Sequence, residues 1–449
     1  MRTCGRPAAL LSCLAVVLGT AVACVTPSDP VPASVHSDPS STPLMGWSSW
    51  SFLRQDPTQA KVEAQARALK ASGLLAHGYT NVNLDDFYYL DPAQDVDEYG
   101  RWVVDPSRFP AGMAALSRYV HGLGEKFGMY LTPGVPVAAY RRNTLIQGTL
   151  VHVRDIVTDT THYETNYNFG SGRMYFIDYD RDPAAAQAFL DSWADELAGW
   201  GVDYLKLDGV GTADADDVRH WSMALAQTGR PIRLELSNGS GLDRSTLWRQ
   251  YANGWRIETD VECYCSTTSY PLTDWANVAA RFADLPGWLR YAGPGGGNDL
   301  DSIEVGNGAD DGLTVAERQT QLTLWAIAAA PLVLGVDLTH LDPTDLALLT
   351  NAEVIAVDQR GRSGRPVAVT GQQQVWAVAD GDGSYTVALF NLANTAGTVT
   401  ASWQSVGFTG SAAVRDLWGR TELGSVAGSF SATLGPHASR LLRVVPTNG

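Results

Sequence analysis

The sequence predicts a (β/α)8 barrel followed by a small antiparallel β-sandwich. Strand-like and helix-like segments alternate at the interval of a β/α unit through most of the chain. Acidic residues finish strand after strand, at Asp85-Asp86, Asp208, Asp260 and Asp301, as expected where one barrel mouth collects the chemistry. From about residue 365 the texture changes to short apolar runs separated by Gly, Asn, Asp and Ser, the pattern of a sandwich. A doubly wound open sheet is the rival for the first part, and the repeated carboxylates at strand ends favour the barrel.

The amino terminus reads as a targeting segment. Arg2 and Arg6 precede an apolar run from Ala8 to Val22, too short to span a membrane as a mature helix, and Ala21-Val22-Ala23 fits a small-residue cleavage site. A signal peptide over 1–23 implies a secreted or extracytoplasmic protein. Cleavage would leave Cys24 at the head of a Pro- and Ser-rich linker over 24–42. An exposed unpaired thiol has no evident use in an oxidising compartment, so a lipid anchor at Cys24 is expected.

The barrel is expected over 43–364. Its strand candidates are Leu44–Ser48, Tyr79–Asp86, Lys126–Thr132, Val202–Asp208, Ile232–Leu236, Trp255–Asp260, a crossing near Asn298–Asp301, and Pro331–Asp337. Helix signals separate several of them. Asp182 is placed to cap, Pro183 sits at the first helical position, and Gly201 follows Trp200, so a helix feeds directly into the strand ending at Asp208. Further helices are predicted from about Asp214 to Thr228, Asp243 to Tyr251 and Thr314 to Ala330. The sandwich, 365–449, rests on the runs Val375–Val378, Tyr385–Phe390, Ala412–Val414 and Arg440–Val444.

Composition narrows the function. The formal net charge is −16, and loss of Arg2 and Arg6 lowers it further, so nucleic acid and anionic lipid are poor electrostatic partners. A neutral oligosaccharide or polysaccharide suits such a surface. Cys263-x-Cys265 is by itself neither a disulfide framework nor a zinc site; a small-loop disulfide and two free thiols both fit. No phosphate-loop or dinucleotide spacing occurs.

The segment from Val202 to Gly209 carries the strongest chemical signal. Alternation puts Tyr204, Lys206 and Asp208 on one face of a strand, so a cation and a carboxylate emerge together at its carboxyl end. Asp260 lies 52 residues further on, two strands along the series. Two carboxylates across one pocket are what glycoside cleavage uses: one attacks the anomeric carbon, the other protonates the leaving oxygen and then deprotonates water. Lys206 is expected to keep Asp208 ionised, and the acid to need a raised pKa. Each residue alone has a plainer reading. A strand-end Asp often binds a helix terminus, Trp47 and Trp50 are more often core than sugar platform, and Arg256 could simply pair with Glu258 or Asp260. Their recurrence at one barrel edge is what weighs against the plain readings.

Leu44-Met45-Gly46-Trp47-Ser48-Ser49-Trp50, Asn83-Leu84-Asp85-Asp86, Arg108-Phe109-Pro110-Ala111-Gly112-Met113, Gly201 through Asp208, Trp255-Arg256 with Asp260, Gly293-Pro294-Gly295-Gly296 with Asn298-Asp299, and Ala330-Pro331-Leu332 resemble the successive signatures of glycoside hydrolase family 27, the α-galactosidase and α-N-acetylgalactosaminidase family. The resemblance runs from about residue 43 to the end. It implies a retaining exo-glycosidase with no metal or organic cofactor, Asp208 as nucleophile and Asp260 as acid/base. It implies that Asp85 and Asp86 grip sugar hydroxyls, that Lys206 and Arg256 hold the ring and the carboxylates, and that Trp47, Tyr130 and Asp301 line the pocket. Glu235, at the start of the segment Glu235-Leu236-Ser237-Asn238-Gly239 that helps choose the sugar, joins the substrate-binding set.

The departures cluster around the sugar. The family's Cys-Trp after the paired aspartates is Phe87-Tyr88 here, its Asn-Cys after the nucleophile is Gly209-Val210, and Ser48, Gly297 and Ser302 replace an Asn, a Trp and a Met. Similar family members cleave β-L-arabinopyranosides or release isomaltose from dextran, so these remain alternative substrates. Outside the class, a Schiff-base lyase using Lys206 and a non-catalytic glycan-binding barrel are the alternatives. A divalent-metal site lacks a histidine at ligand spacing.

Overall fold

A computed structural model describes residues 42–164, 174–266, 269–293 and 296–447. The expected signal peptide, Cys24 and the linker up to residue 41 lie outside the described residues, as do Pro294 and Gly295 of the glycine-rich motif. Among the described residues, no helix is long and apolar enough to cross a membrane.

Eight parallel strands form one sheet: β1 (Met45–Ser48), β2 (Asn81–Leu84), β3 (Lys126–Leu131), β4 (Tyr204–Leu207), β5 (Arg233–Leu236), β6 (Gly254–Arg256), β7 (Gly297–Asp299) and β8 (Leu332–Leu334). Their spatial order is β7-β6-β5-β4-β3-β2-β1-β8. β1 pairs with β8 as well as β2, with Met45 opposite Leu332 and Trp47 opposite Leu334. Ile303, just past β7, closes the ring: its N–H donates to the Val333 carbonyl at 2.7 Å, and its carbonyl accepts from Gly335 N–H at 3.0 Å. This is the (β/α)8 barrel.

Parallel strands buried on both faces read as near-continuous apolar runs, and β1 and β2 are buried at all four positions. Glycines on the strands make room for large neighbours. A Cβ on Gly128 would sit 2.2 Å from Asn83 Oδ1, and one on Gly254 would sit 1.8 Å from Glu235 Oε1.

Helices follow the strands: α1 (Gln59–Ala71), α2 (Met113–Leu123), α3 (Pro183–Trp200), α4 (Ala215–Gln227), α5 (Ser245–Tyr251), α6 (Trp275–Asp284), α7 (Val315–Ala328) and α8 (Pro343–Leu349). The capping signals operate as the sequence predicts. Asp182 accepts from Ala185 N–H, Pro183 opens α3, and Gly201 ends it at φ 87°; Thr314 and Glu317 form a capping box at α7. Between β3 and α3 the chain makes an excursion with no sequence signal, a small sheet of Val135–Pro136, Tyr163–Glu164 and Met174–Tyr175.

One strand is shorter than expected. β6 stops at Arg256, so Asp260 lies on the loop beyond it, drawn back to the strand end by its ion pair with Arg256 four residues earlier. The apolar-to-acidic run Trp255–Asp260 mimics a strand, yet only its first part pairs with β7, at Trp255 and Arg256.

The second part contains eight strands, β9 (Arg365–Thr370), β10 (Gln373–Ala379), β11 (Tyr385–Asn391), β12 (Gly397–Ser402), β13 (Ser411–Asp416), β14 (Thr421–Ala427), β15 (Ser429–Leu434) and β16 (Ser439–Thr447). They make a six-stranded sheet, β9-β10-β11-β16-β13-β14, and a two-stranded one, β12-β15. The four strands without a sequence signal are polar on at least one face and carry Thr, Ser and Gly. The sandwich docks on α7. Trp418 Nε1 donates to Thr323 Oγ1 at 2.9 Å, Thr320 Oγ1 donates to the His437 carbonyl at 2.7 Å, and Trp376 and Phe390 meet Phe282 of α6 edge-on.

Candidate active site

The carboxyl ends of β1, β2, β4 and the loops after β5 and β6 surround a cavity of about 340 Å³, lined by Trp50, Gln55, Asp85, Lys206, Asp208, Asn238, Asp260 and Tyr264. That is within the range of small-molecule sites.

Asp85 follows the last residue of β2. Its N–H donates to Ser49 Oγ at 2.9 Å, and its Oδ2 accepts from Lys206 Nζ at 2.9 Å. Burial pushes its carboxyl up, with the Asp208 charge adding to the push, and Lys206 only partly offsets this. Lys206 is raised as well: burial alone would lower it, but Asp85 and Asp208 outweigh that and keep the ammonium charged. The expectation is that Lys206 keeps Asp208 ionised, and Asp208 is among the charges that act on the ammonium. The ion pair is with Asp85, across the barrel wall, because β3 brings β2 and β4 within side-chain reach.

Asp208 caps β4, its N–H donating to the Leu131 carbonyl at 2.8 Å, and it is buried. Asp260 approaches from the other side, on the loop after β6. Arg256, only 4% exposed, donates from Nη2 to Asp260 and from Nη1 to Asp301 at 2.8 Å. Asp301 is fixed in turn by Val261 N–H at 2.7 Å. Burial pushes the Asp260 carboxyl up, but Arg256, Lys206 and a hydrogen bond from Tyr264 outweigh it and hold it below the ordinary range. The expected raised pKa at Asp260 is therefore not found, and the cause is the guanidinium beside it.

Four of the ten residues expected from sequence, Asp85, Lys206, Asp208 and Asp260, line the cavity together. The others stand behind them. Trp47 is fully buried with its indole N–H on the Val336 carbonyl at 2.8 Å. Asp86 accepts from Phe87 N–H at 2.7 Å and from the Tyr89 hydroxyl at 2.5 Å. Tyr130 lies under Lys206, whose Nζ is 5.5 Å from the ring centroid. Arg256, Asp301 and Glu235 line a chamber deeper in the barrel. Glu235 sits there beside Arg233 at 3.2 Å, and burial pushes it up to about 8. Its placement on β5 at the level of Lys206 keeps it below the rim.

Sequence reasoning missed Gln55, Asn238 and Tyr264 and left Trp50 undecided. Trp50 Nε1 donates to the Tyr264 hydroxyl at 2.8 Å. The one hint of Tyr264 was the C-x-C around it, and Cys263 and Cys265 are joined in a disulfide. Asp260, Glu262 and Asp301 can each bring one oxygen within 4.8 Å of the others. Arg256 already binds two of the three, and burial pushes Glu262 up to about 8, so this set is charge-compensated without a cation.

The family described as "Alpha galactosidase A" matches residues 42–146 and 182–360, and "Alpha galactosidase C-terminal beta sandwich domain" matches 370–444. The chain is similar to the GH27 β-L-arabinopyranosidase of Geobacillus stearothermophilus, at 31% identity and TM-score 0.83 over 93% of this chain and 99% of that one. The chain belongs to glycoside hydrolase family 27. Among family 27 relatives, the α-galactosidase of Cyamopsis tetragonoloba is 32% identical over 90% of this chain and 86% of that protein. An α-galactosidase from Coffea arabica is also 32% identical, over 90% and 94%. The chain is thus a family 27 glycoside hydrolase of the α-galactosidase type, with the family's barrel and sandwich.

Proposed function

We propose that the enzyme removes terminal α-galactosyl groups with retention, Asp208 acting as nucleophile and Asp260 as acid/base. The observation that carries the reading is that two carboxylates, Asp208 just past β4 and Asp260 on the loop after β6, line one sugar-sized cavity together with Asp85 and Lys206. Two carboxylates at one cavity suit double displacement, and the family resemblance supports that route. Asp260 gives a proton to the leaving oxygen while Asp208 bonds to the anomeric carbon. The Asp260 carboxylate then takes a proton from water, which displaces Asp208. Asp85 is suited to accept hydrogen bonds from sugar hydroxyls, and the charged Lys206 orders it. An ammonium held charged by two carboxylates is the wrong form for a Schiff base, which counts against a lyase.

The Geobacillus neighbour favours a second reading, a β-L-arabinopyranoside, which differs from an α-galactoside at the exocyclic carbon alone. Chromophore release from aryl α-galactoside, α-N-acetylgalactosaminide, β-L-arabinopyranoside and α-glucoside, beside a dextran digest, separates these. Turnover of the α-galactoside is expected; silence there with arabinopyranoside cleaved or isomaltose released would replace the substrate. The amino-terminal features carry the further reading of an exported enzyme anchored through a lipid on Cys24. Mass spectrometry of the mature amino terminus tests it: an unmodified Cys24, or a start beyond it, would end the anchor proposal.

A further inference from the structure

Asp260 stands beyond the barrel wall, so its direction is set by what touches it and not by strand geometry. Arg256 takes Oδ1 and the Tyr264 hydroxyl takes Oδ2. The same phenol oxygen receives Trp50 Nε1–H at 2.8 Å. An indole nitrogen only donates and an ionised carboxylate only accepts. The run Trp50 to Tyr264 to Asp260 therefore has one polarity, with the phenol's single proton on Asp260. Each oxygen of Asp260 thus accepts one hydrogen bond from a protein donor, and the one on Oδ2 comes from Tyr264.

Core packing does not account for Tyr264 being there, since the residue is 49% exposed. It lies at φ 48°, a left-handed conformation that bulky residues rarely adopt. Its two chain neighbours, Cys263 and Cys265, are bonded to each other. Cys263 is anchored in turn by its N–H on the Leu272 carbonyl at 3.1 Å. Arg54 stacks on the ring at 4.4 Å.

We propose that Tyr264 is a positioning residue for the acid/base, kept on the Asp260 carboxylate by the Cys263–Cys265 bridge, and that this bridge thereby governs how readily Asp260 gives up its proton. The proposal rests on Asp260 being the acid/base. The other charged groups facing Asp260 are Arg256 of β6, Lys206 of β4 with Asp208 after it, Asp85 after β2, Asp301 after β7, and Glu262 on its own loop. None of them is replaced when Tyr264 or the bridge is altered.

The test is the pH profile of kcat/KM on a phenyl glycoside of the sugar the enzyme accepts, whose poor leaving group needs the acid. The basic limb falls as the free enzyme's acid loses its proton. Tyr264→Phe removes one donor from the carboxylate, so the limb should move up by about one pH unit. Cys263→Ser with Cys265→Ser should move it the same way with Tyr264 intact. An unmoved limb in Tyr264→Phe overturns the proposal, and a limb moved there but not in the double-serine variant overturns the role of the bridge. A merely structural role would lower activity at every pH and leave the limb alone. Asp260→Ala is the control: full activity on the phenyl glycoside would sink Asp260 as acid/base. Loss there with retention on a dinitrophenyl glycoside upholds that reading and confines any failure to Tyr264.

Discussion

Lys206 gives its ammonium to Asp85 at 2.9 Å, across the barrel, although Asp208 lies only two residues along its own chain. Removing it with Lys206→Met leaves Asp85 buried beside Asp208 without compensation, and breaking a buried pair in this way costs about 3–5 kcal/mol. Thermal melting and steady-state kinetics on the variant should show a lowered Tm together with a raised KM and reduced kcat. A variant with wild-type KM would contradict the part Lys206 plays in ordering Asp85.

Asp208→Asn keeps the shape of the side chain and removes its nucleophilicity. Turnover should fall by about 10⁴-fold or more, with the melting curve close to that of the parent. With azide present, Asp208→Gly, which vacates the carboxylate's place, should form the glycosyl azide of inverted configuration, identified by NMR, because the azide attacks where the carboxylate did. Normal hydrolysis by Asp208→Asn would remove Asp208 from the mechanism.

Gly254→Ala tests the space that β6 leaves for Glu235. The added methyl would lie 1.8 Å from Glu235 Oε1, and Glu235 is itself 2% exposed, so the carboxyl has little room to retreat. Overpacking of this kind costs about 1–3 kcal/mol. Denaturant titration should show the loss, and Glu235→Ala in the same chain should recover part of it.

Stability should decline as the pH rises from mildly acidic to mildly basic. Burial pushes Glu125, Glu235 and Glu262 each up to about 8, against about 4.3 for a glutamate in the unfolded chain. Between those values the folded protein binds more protons than the unfolded one, so stability is full below the window and is lost as pH climbs through it. Carboxyls held low, Asp260 among them, act oppositely, but only in the more acidic range. Tm should be highest near about pH 5 and lower near about pH 8, and Glu262→Gln should flatten the curve. A Tm that rises across this interval would contradict the assignment.

The barrel was legible because its strand-like segments alternate with helices that carry strong caps, as at Asp182-Pro183, and because acidic residues follow several strands. Half of the sandwich was not, since β9, β12, β14 and β15 are each exposed at two or more positions and read as polar loops. Asp85, Lys206 and Asp208 could be placed from strand position, whereas Asp260 lies on the loop past β6. The partner of Lys206 could not be read, because ion pairing across strands depends on a register that one sequence does not display. Tyr264 and Asn238 were invisible for a related reason. Each sits on a loop at positive φ, where no periodicity marks which way a side chain faces.

The closure of the barrel through Ile303 has an effect on how the enzyme fails. That residue stands between Asp301, which positions Arg256, and Glu304, which is fully buried. Two backbone hydrogen bonds at Ile303 join the seventh and eighth strands of the wall. Slackening at this joint withdraws the anchor of the guanidinium on which Asp260 rests, so heat inactivation and loss of the wall form one event, with no warm, intact but idle barrel between them.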